Sequence, residues 1–136
     1  MKSAANVDQI CPCGTGARYR ACCGRWHDGP QRLAAPDAPA LMRSRYSAYV
    51  LGRRDYLLDT WHPATRPASL EPDPPALKWL GLEIKDARAI DARHATVEFV
   101  ARSRLAARGQ RLHEISRFEA VDGRWYYVDG TFPAHG

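Results

Sequence analysis

The sequence predicts an α+β protein in which helices pack on one face of a curved antiparallel sheet, with a small cysteine loop at the N-terminus. Three observations support this fold class. All four cysteines fall between residues 11 and 23. Apolar residues recur with the 3.6-residue period of helices between residues 38 and 60, and with the two-residue period of strands beyond residue 78. The loop, the helices and the sheet are therefore expected in that order.

Length and composition are those of one folded domain. The chain has 136 residues, of which 45% are hydrophobic and 26% charged, and such a composition is not that of a disordered protein. No run approaches the roughly 18 apolar residues that would span a bilayer, and the first ten residues lack the apolar core of a secretory signal. We therefore expect a cytoplasmic protein with no membrane partner. The net charge of +5 suits acidic partners or RNA but does not identify one.

The cysteine spacing predicts a metal site. Cys11 and Cys13 are separated by one residue, and Cys22 and Cys23 are adjacent further along the chain. In a reducing compartment such a cluster is typical of metal binding. Four thiolates complete the tetrahedral coordination of zinc and leave no position for a reacting water, so we predict one structural zinc ion per chain. The alternatives are four packed or reactive thiols, or a disulfide between the two pairs.

His27 follows the cysteines closely enough to take part in the site. Because imidazole is a good zinc ligand, His27 could replace Cys23 or hydrogen-bond a thiolate from outside the coordination shell. A packing or surface role is the one we expect. His94, His113 and His135 are not expected to be catalytic.

The cysteine segment resembles a known motif. Cys-Pro-Cys-Gly-Thr-Gly at 11–16, Tyr19 and Cys-Cys-Gly at 22–24 are similar to the SEC-C motif, a zinc-binding element named from the C-terminus of the translocase ATPase SecA. Downstream, RSRYSAYV at 43–50, TWHP at 60–63 and GRWYYVDG at 123–130 resemble the uncharacterised YchJ-like family. The resemblance implies a SEC-C motif over residues 1–28 and a nuclear transport factor 2-like domain over residues 29–136, with no established activity.

The first predicted helix runs from Ala38 to Leu51. Asp37 is a favourable N-cap, a proline is tolerated in the first turn, and Gly52 ends the helix. Four side chains share its apolar face: Met42, Tyr46, Tyr49 and Val50.

A second helix is expected from Arg54 to Thr60, with Leu57 and Trp61 inward and Pro63 preventing its continuation. Five of the ten prolines lie between residues 63 and 76, which predicts a surface loop there. Residues 29–39, rich in proline and alanine, are the connector that precedes both helices.

The sheet is predicted from alternation and from its turns. Two predicted strands have apolar residues at alternate positions: Leu80, Leu82 and Ile84, then Val97, Phe99 and Ala101. Asp122-Gly123 supplies the two left-handed residues of a type I′ hairpin. That turn predicts the register of the last two strands: Val121 with Arg124, Ala120 with Trp125, Phe118 with Tyr127, and Ser116 with Asp129. The preceding turn can have two or four residues, and both choices keep each side chain on its face.

A polar island is expected on the apolar face of the sheet. The register brings three residues together, and the helices could add three more to the same cavity: Glu114, Ser116 and Asp129, then Tyr46, Trp61 and His62. A carboxylate in a cavity is suited to general acid–base catalysis, as in the enzymes to which nuclear transport factor 2-like domains are similar. The alternative, which we favour, is that the two carboxylates pair with Arg43, Arg45 or His62 and tie helix to sheet. Catalytic residues stay unassigned.

These patterns favour a zinc-stabilised interaction module that contacts a protein or ribosomal partner through the cysteine loop, as the SEC-C resemblance implies. Arg18, Arg20 and Arg25 would give that loop a basic face. The second hypothesis is a small-molecule enzyme or ligand-binding protein that uses the cavity. RNA binding through the scattered arginines is the third.

Overall fold

The computed structural model describes residues 9–133 and has the predicted α+β architecture. Within these residues three α-helices precede four strands: α1 (Gly24–His27), α2 (Ala38–Leu51), α3 (Arg54–Asp59), β1 (Leu77–Asp91), β2 (His94–Leu105), β3 (Arg108–Val121) and β4 (Arg124–Thr131). The strands form one antiparallel sheet in chain order. Because α2 contacts β1, β2 and β4, the helices cover one face of this sheet.

The bounds of α2 are set by the residues that predict them. The Asp37 carboxylate accepts a hydrogen bond of 2.9 Å from the Ala40 N–H, which satisfies one of the N–H groups that a helix start leaves unpaired. Gly52 has a φ of 73°, the left-handed conformation that ends a helix. α3 begins at Arg54 as predicted and ends at Asp59, one residue earlier than expected.

Replacing Asp37 with alanine is expected to lower the free energy of unfolding by about 1 kcal/mol, because the Ala40 N–H loses its acceptor. Asp37→Asn is the matched control, since an asparagine side chain accepts the same hydrogen bond and should cost less than about 0.5 kcal/mol. Urea unfolding followed by circular dichroism measures both. Equal losses in the two variants would contradict the capping role.

The hairpin between β3 and β4 has the predicted turn and most of the predicted register. Three pairs are as expected: Val121 with Arg124, Ala120 with Trp125, and Phe118 with Tyr127. The register then shifts, so that Asp129 pairs with Arg117 and not with Ser116. The prediction fails there because Val128 is an extra residue on β4, and a one-residue shift moves the next side chain to the other face of the sheet.

A second bulge changes which side chains of β1 face the helices. The register shifts between Trp79 and Gly81, so Leu80 is the extra residue and is 55% exposed. Leu80 therefore does not share a face with Leu82 and Ile84, although the alternation predicts that it does, and Trp79 packs against the core in its place. The prediction is correct for Leu82 and Ile84, which pack against the same core.

The cysteine loop and the sheet share one hydrophobic core. A single cluster of buried residues extends from Cys11 through α2 and α3 to Phe118 on β3. Because the core is continuous, a change in the cysteine loop should alter the stability of the whole domain. The division of the chain into residues 1–28 and 29–136 stays a prediction.

None of the helices in the described part of the chain is long and apolar enough to cross a membrane.

Candidate metal centre and ligand cavity

The cysteine loop is built from a tight reversal, a 3₁₀ turn and α1. Gly14 has a φ of 91°, a conformation that favours glycine and reverses the chain after Cys13. The Cys11 N–H donates to the Ala17 carbonyl at 2.8 Å, which closes the loop. The 3₁₀ turn at Tyr19–Ala21 and then α1 place the second pair of cysteines beside the first.

The four sulfur atoms lie together, as the spacing predicts. The Sγ atoms of Cys11, Cys13, Cys22 and Cys23 all lie within 4.8 Å of one another. All four are buried free thiols and none forms a disulfide. The sulfurs of Cys13 and Cys22 are 3.6 Å apart, close to the edge of about 3.8 Å expected for a tetrahedron with metal–sulfur bonds of about 2.3 Å. The donor set therefore fits a tetrahedral zinc ion.

Crowding changes the acidity of these thiols. Hydrogen bonds with Cys13 and Cys23 hold the pKa of the Cys11 thiol far below its usual range. Hydrogen bonding to the Cys11 sulfur raises the pKa of Cys13, and burial adds to this rise while a hydrogen bond with Cys23 opposes it. Hydrogen bonds with Cys11 and Cys13, and then burial, raise the pKa of Cys23. One thiolate thus forms readily, whereas further ionisation would crowd like charges in a buried site. A bound cation would stabilise all four thiolates, which is how metal binding couples to thiol deprotonation.

Helix α2 holds the loop on its inner side. The Cys11 sulfur lies 3.4 Å from the Ser47 hydroxyl oxygen, and the Arg43 guanidinium donates to the Cys13 carbonyl at 2.9 Å. On the outer side, the Thr15 hydroxyl oxygen is 3.2 Å from the Cys22 sulfur. Contacts of this kind orient metal ligands from outside the coordination shell.

His27 is a packing residue in this structure. The side chain is fully buried, and its ring centroid lies 4.5 Å from that of Tyr56. Nε2 is 2.8 Å from the Ser44 carbonyl oxygen, which can only accept, so Nε2 holds the proton. Nδ1 then accepts from the Tyr19 hydroxyl at 2.6 Å. Both ring nitrogens are occupied, which contradicts the alternative in which His27 replaces Cys23.

Acid should destabilise the protein through His27. Burial lowers the pKa of His27 below its ordinary value of 6.5, so the folded state keeps the ring neutral where the unfolded chain binds a proton. Stability is therefore fully present above pH 6.5 and is lost as the pH falls below it, by at most about 1.4 kcal/mol per pH unit. His27→Gln removes this titration, and urea unfolding should show a smaller pH slope for the variant. Equal slopes would show that another group is responsible.

A second candidate site is a cavity between α2 and the sheet. Its volume is about 480 Å³, within the range of pockets that bind small molecules. Aromatic and aliphatic side chains form most of the wall, and the polar residues among them include Arg45, Glu114, Ser116 and Tyr127. The cavity lies on the face of the sheet where the sequence predicts the polar island.

Glu114 is a buried carboxylate of this cavity. Its Oε2 accepts hydrogen bonds from the hydroxyls of Ser116 and Tyr127, each at 2.9 Å. Burial and then the charge of Glu114 raise the pKa of Tyr127, so the tyrosine remains a donor at neutral pH. Glu114 and Ser116 thus come together as predicted, and Tyr127 is added to them.

Asp129 lies outside the cavity, which corrects its predicted place in the island. The bulge in β4 turns it to the other face of the sheet, where its two carboxylate oxygens accept bonds of 2.6 Å from the Arg117 guanidinium. That hydrogen bonding lowers the pKa of Asp129. Asp129 is therefore suited to serve as a control position in experiments on the cavity.

The predicted ion pairs that would join the carboxylates of Glu114 and Asp129 to the helical segment are wrong. The three cationic candidates have other partners: the Cys13 carbonyl for Arg43, the Thr60 hydroxyl for Arg45, and the Glu119 carboxylate for His62. Among residues 9–133, Glu114 forms no ion pair, and its hydrogen bonds come from neutral hydroxyls. Neutral hydroxyl donors therefore stabilise the buried carboxylate of Glu114, whereas the sequence analysis favours a cationic partner.

Of the aromatic candidates, Tyr46 lines the cavity, whereas Trp61 and His62 do not. Their segment runs beside β4, where the His62 N–H donates to the Tyr127 carbonyl at 2.7 Å. The Trp61 ring packs edge-on against the Tyr127 ring and so supports a wall residue. Sequence reasoning misses Trp79 as a wall residue, because simple alternation does not predict the bulge at position 80.

His94 and His113 each lie beside a carboxylate, away from the cavity. His94 is exposed beside Asp91, at 2.9 Å, and His113 lies 2.7 Å from Glu98. Neither lines the cavity. His135 lies outside the described residues.

Gly130 makes room for Glu114. It pairs with Ser116 across the sheet, and a Cβ at this position would lie 2.6 Å from the Glu114 carboxylate carbon and 2.8 Å from its Cγ. These distances are shorter than van der Waals contact. A glycine inside a strand often marks such a close approach, and here it allows the carboxylate to cross β4.

Gly130→Ala is expected to lower the free energy of unfolding by about 1–3 kcal/mol, because the new methyl group overlaps the buried Glu114 side chain. Gly109→Ala is the matched control, since a methyl group at that strand glycine would meet no atom within 4 Å beyond its chain neighbours. The control should be as stable as the wild type or slightly more stable. Urea unfolding compares the two variants, and equal stabilities would show that Gly130 does not constrain Glu114.

Two family models match the chain. The model described as the YchJ middle NTF2-like domain matches residues 37–130, and the SEC-C motif matches residues 9–25. The second match contains all four cysteines of the candidate metal centre, and the first contains Tyr46, Glu114 and Tyr127 of the cavity.

Solved structures and relatives agree with these matches. A solution structure of a SEC-C motif protein from Rhodopseudomonas palustris has a TM-score of 0.77 and 35% identity, covering 91% of this chain and 98% of that one. A crystal structure of a SEC-C motif protein from Psychrobacter arcticus has a TM-score of 0.75 and 32% identity, covering 96% and 86%. A UPF0225 protein of Bordetella parapertussis is 59% identical over 130 residues, covering 96% of this chain and 98% of its own length.

Proposed function

The chain belongs to the YchJ-like UPF0225 family, and we propose that it is an interaction module in which one structural zinc ion shapes a loop that contacts a protein or ribosomal partner. Cys11, Cys13, Cys22 and Cys23 would hold the ion, because four soft, buried sulfur donors at tetrahedral spacing suit zinc. Zinc bound by four protein ligands supplies structure and not reactivity. A cytoplasmic location stays a prediction.

The single observation behind this proposal is the two-sided placement of the cysteine loop. Its sulfurs are buried, and its inner side is bonded to α2 through Ser47 and Arg43. Its outer side, residues 14–18 together with Arg20 and Arg25, is exposed. A metal that holds the inner side in place would fix the shape of the basic outer side, which suits an acidic partner surface.

Affinity capture with matched variants tests the interaction. Tagged wild-type protein should capture a partner from bacterial lysate. The control variant Arg88→Glu, which reverses the charge of an exposed arginine on β1, should capture the same partner. Arg18→Glu/Arg20→Glu, which reverses two charges of the loop, should lose that partner, and so should Cys22→Ser. Ribonuclease treatment separates a protein contact from an RNA-mediated one. Equal capture by the wild type and the Arg18/Arg20 variant would contradict the proposal.

The second candidate function is small-molecule binding or catalysis in the cavity. The observation that favours it is Glu114, a buried carboxylate that lines the cavity and is held by hydroxyls without an ion pair among the described residues. Ligand-detected NMR with a fragment library should find binders of the wild type that Leu112→Trp no longer binds, because a tryptophan at this half-exposed wall position narrows the cavity. Identical binding to both proteins would exclude the cavity as the site.

A further inference from the structure

Within residues 9–133, one carboxylate oxygen of Glu114 in the cavity accepts no hydrogen bond. Both hydrogen bonds to Glu114 reach Oε2, and Oε1 accepts none within residues 9–133. Among these residues, Trp61 Nε1 is the fully buried side-chain polar atom that lacks a partner. Within the same range, Oε1 also lacks a partner but is not among the fully buried atoms, so it keeps some exposure, and its residue lines the cavity. A ligand with an O–H or N–H group could donate to it.

The charged side chains that line the cavity are balanced. Arg45 is buried, and its guanidinium lies 4.5 Å from the centroid of the Tyr127 ring, whose hydroxyl donates to Glu114. Arg111 and Asp73 also line the cavity, so its wall has two cationic and two anionic side chains. A charged ligand would upset this balance, whereas a neutral ligand would not.

The wall also has an aromatic part against which a ring can pack. Tyr46 and Tyr49 on α2 both contact the Trp79 ring, with centroid distances of 5.8 Å and 5.9 Å, and all three line the cavity together with Phe99. Aromatic walls favour planar apolar ligands through stacking and edge contacts. The volume of about 480 Å³ accommodates a molecule of two or three fused rings.

We propose that the cavity binds a neutral aromatic compound whose hydroxyl or N–H group donates a hydrogen bond to Oε1 of Glu114. This proposal rests on the second candidate function and names the chemical class of its ligand. The ring would lie among Tyr46, Tyr49 and Trp79, and the donor would point to the carboxylate. Gly130 sets the position of that carboxylate, because it leaves the space that the side chain occupies.

Two probes that differ in one donor test this recognition. 2-Naphthol and 2-methoxynaphthalene have the same ring system, but the methyl ether cannot donate. Titrations followed by protein chemical shifts should give an affinity about tenfold higher for 2-naphthol, because a hydrogen bond to a charged acceptor contributes on the order of that factor. Shifts should concentrate on residues that line the cavity.

Glu114→Gln and Asp129→Asn form the matched pair of variants. In Glu114→Gln the amide oxygen is needed by the donors Ser116 and Tyr127, so the amide NH₂ faces the cavity and the preference for 2-naphthol should fall to about twofold or less. Asp129→Asn changes a carboxylate on the other face of the sheet and should keep the tenfold preference.

The outcomes separate the two levels of the proposal. Equal affinity of the wild type for both probes would overturn the ligand class while leaving the cavity as a binding site. No binding of either probe would overturn the ligand class and count against the second candidate function as well. If Glu114→Gln does not fold, the comparison of the two probes on the wild type still decides.

Discussion

Cys13→Ser is expected to abolish zinc binding and to lower the free energy of unfolding by at least about 3 kcal/mol. Cys13 is fully buried, and serine is a poor ligand for zinc at neutral pH because its hydroxyl is not ionised. The remaining three sulfurs would have to hold an incomplete site. Since the cysteine loop shares its core with the sheet, the loss should appear in global unfolding. Elemental analysis and urea unfolding measure the two effects.

Ser47→Ala and a chelator provide the controls for this variant. Ser47 contacts the Cys11 sulfur through its hydroxyl, so Ser47→Ala should retain one zinc per chain and lose no more than about 1–2 kcal/mol. A strong chelator should destabilise the wild type and Ser47→Ala but leave Cys13→Ser unchanged. A Cys13→Ser protein as stable as the wild type would show that the cysteines are only packed thiols.

His27→Leu is expected to lower the free energy of unfolding by about 2–4 kcal/mol without loss of zinc. Leucine fills a similar volume, but it leaves the Tyr19 hydroxyl and the Ser44 carbonyl without the partners that the imidazole gives them at 2.6 Å and 2.8 Å. Unsatisfied polar groups in a core are costly. Urea unfolding gives the stability, and elemental analysis of the same preparation gives the zinc content.

Tyr19→Phe is the smaller companion change. It removes one of the two hydrogen bonds of His27 and should cost about 1–2 kcal/mol, less than His27→Leu. Zinc content should again be one ion per chain. Loss of zinc from His27→Leu while Tyr19→Phe retains it would indicate that His27 is a ligand, contrary to the hydrogen bonds in the structure.

The features that the sequence predicts well are those set by local physics. The bounds of α2 follow from Asp37 and Gly52, a cap and a stop that act within one turn. The hairpin turn follows from Asp122-Gly123, whose left-handed conformations the structure confirms. The cysteine cluster follows from spacing, because all four sulfurs lie in one short segment that must fold back on itself.

The features that the sequence does not predict depend on contacts across the sheet. Both register errors come from bulges, at Leu80 on β1 and at Val128 on β4. Each bulge lies within two residues of a strand glycine, Gly81 or Gly130, and such a glycine is the one local signal that could have indicated it. The consequence for the site is large, because the bulge at Val128 removes Asp129 from the cavity.

The attachment of the cysteine loop to α2 is equally invisible in the sequence. Nothing in the spacing of Cys11 and Ser47, or of His27 and Ser44, marks them as partners. Their contacts form because the connector returns the chain so that α2 packs against the loop. Long-range pairs of this kind depend on the packing of whole elements and not on local propensity.

X-ray absorption spectroscopy at the zinc edge tests the metal centre most directly. The protein should be purified without chelator and contain about one zinc per chain. We expect four sulfur neighbours at about 2.3 Å and no nitrogen or oxygen neighbour. A spectrum with nitrogen in the first coordination shell, or a well-folded protein that binds no zinc, would contradict the four-cysteine centre on which the proposed interaction module depends.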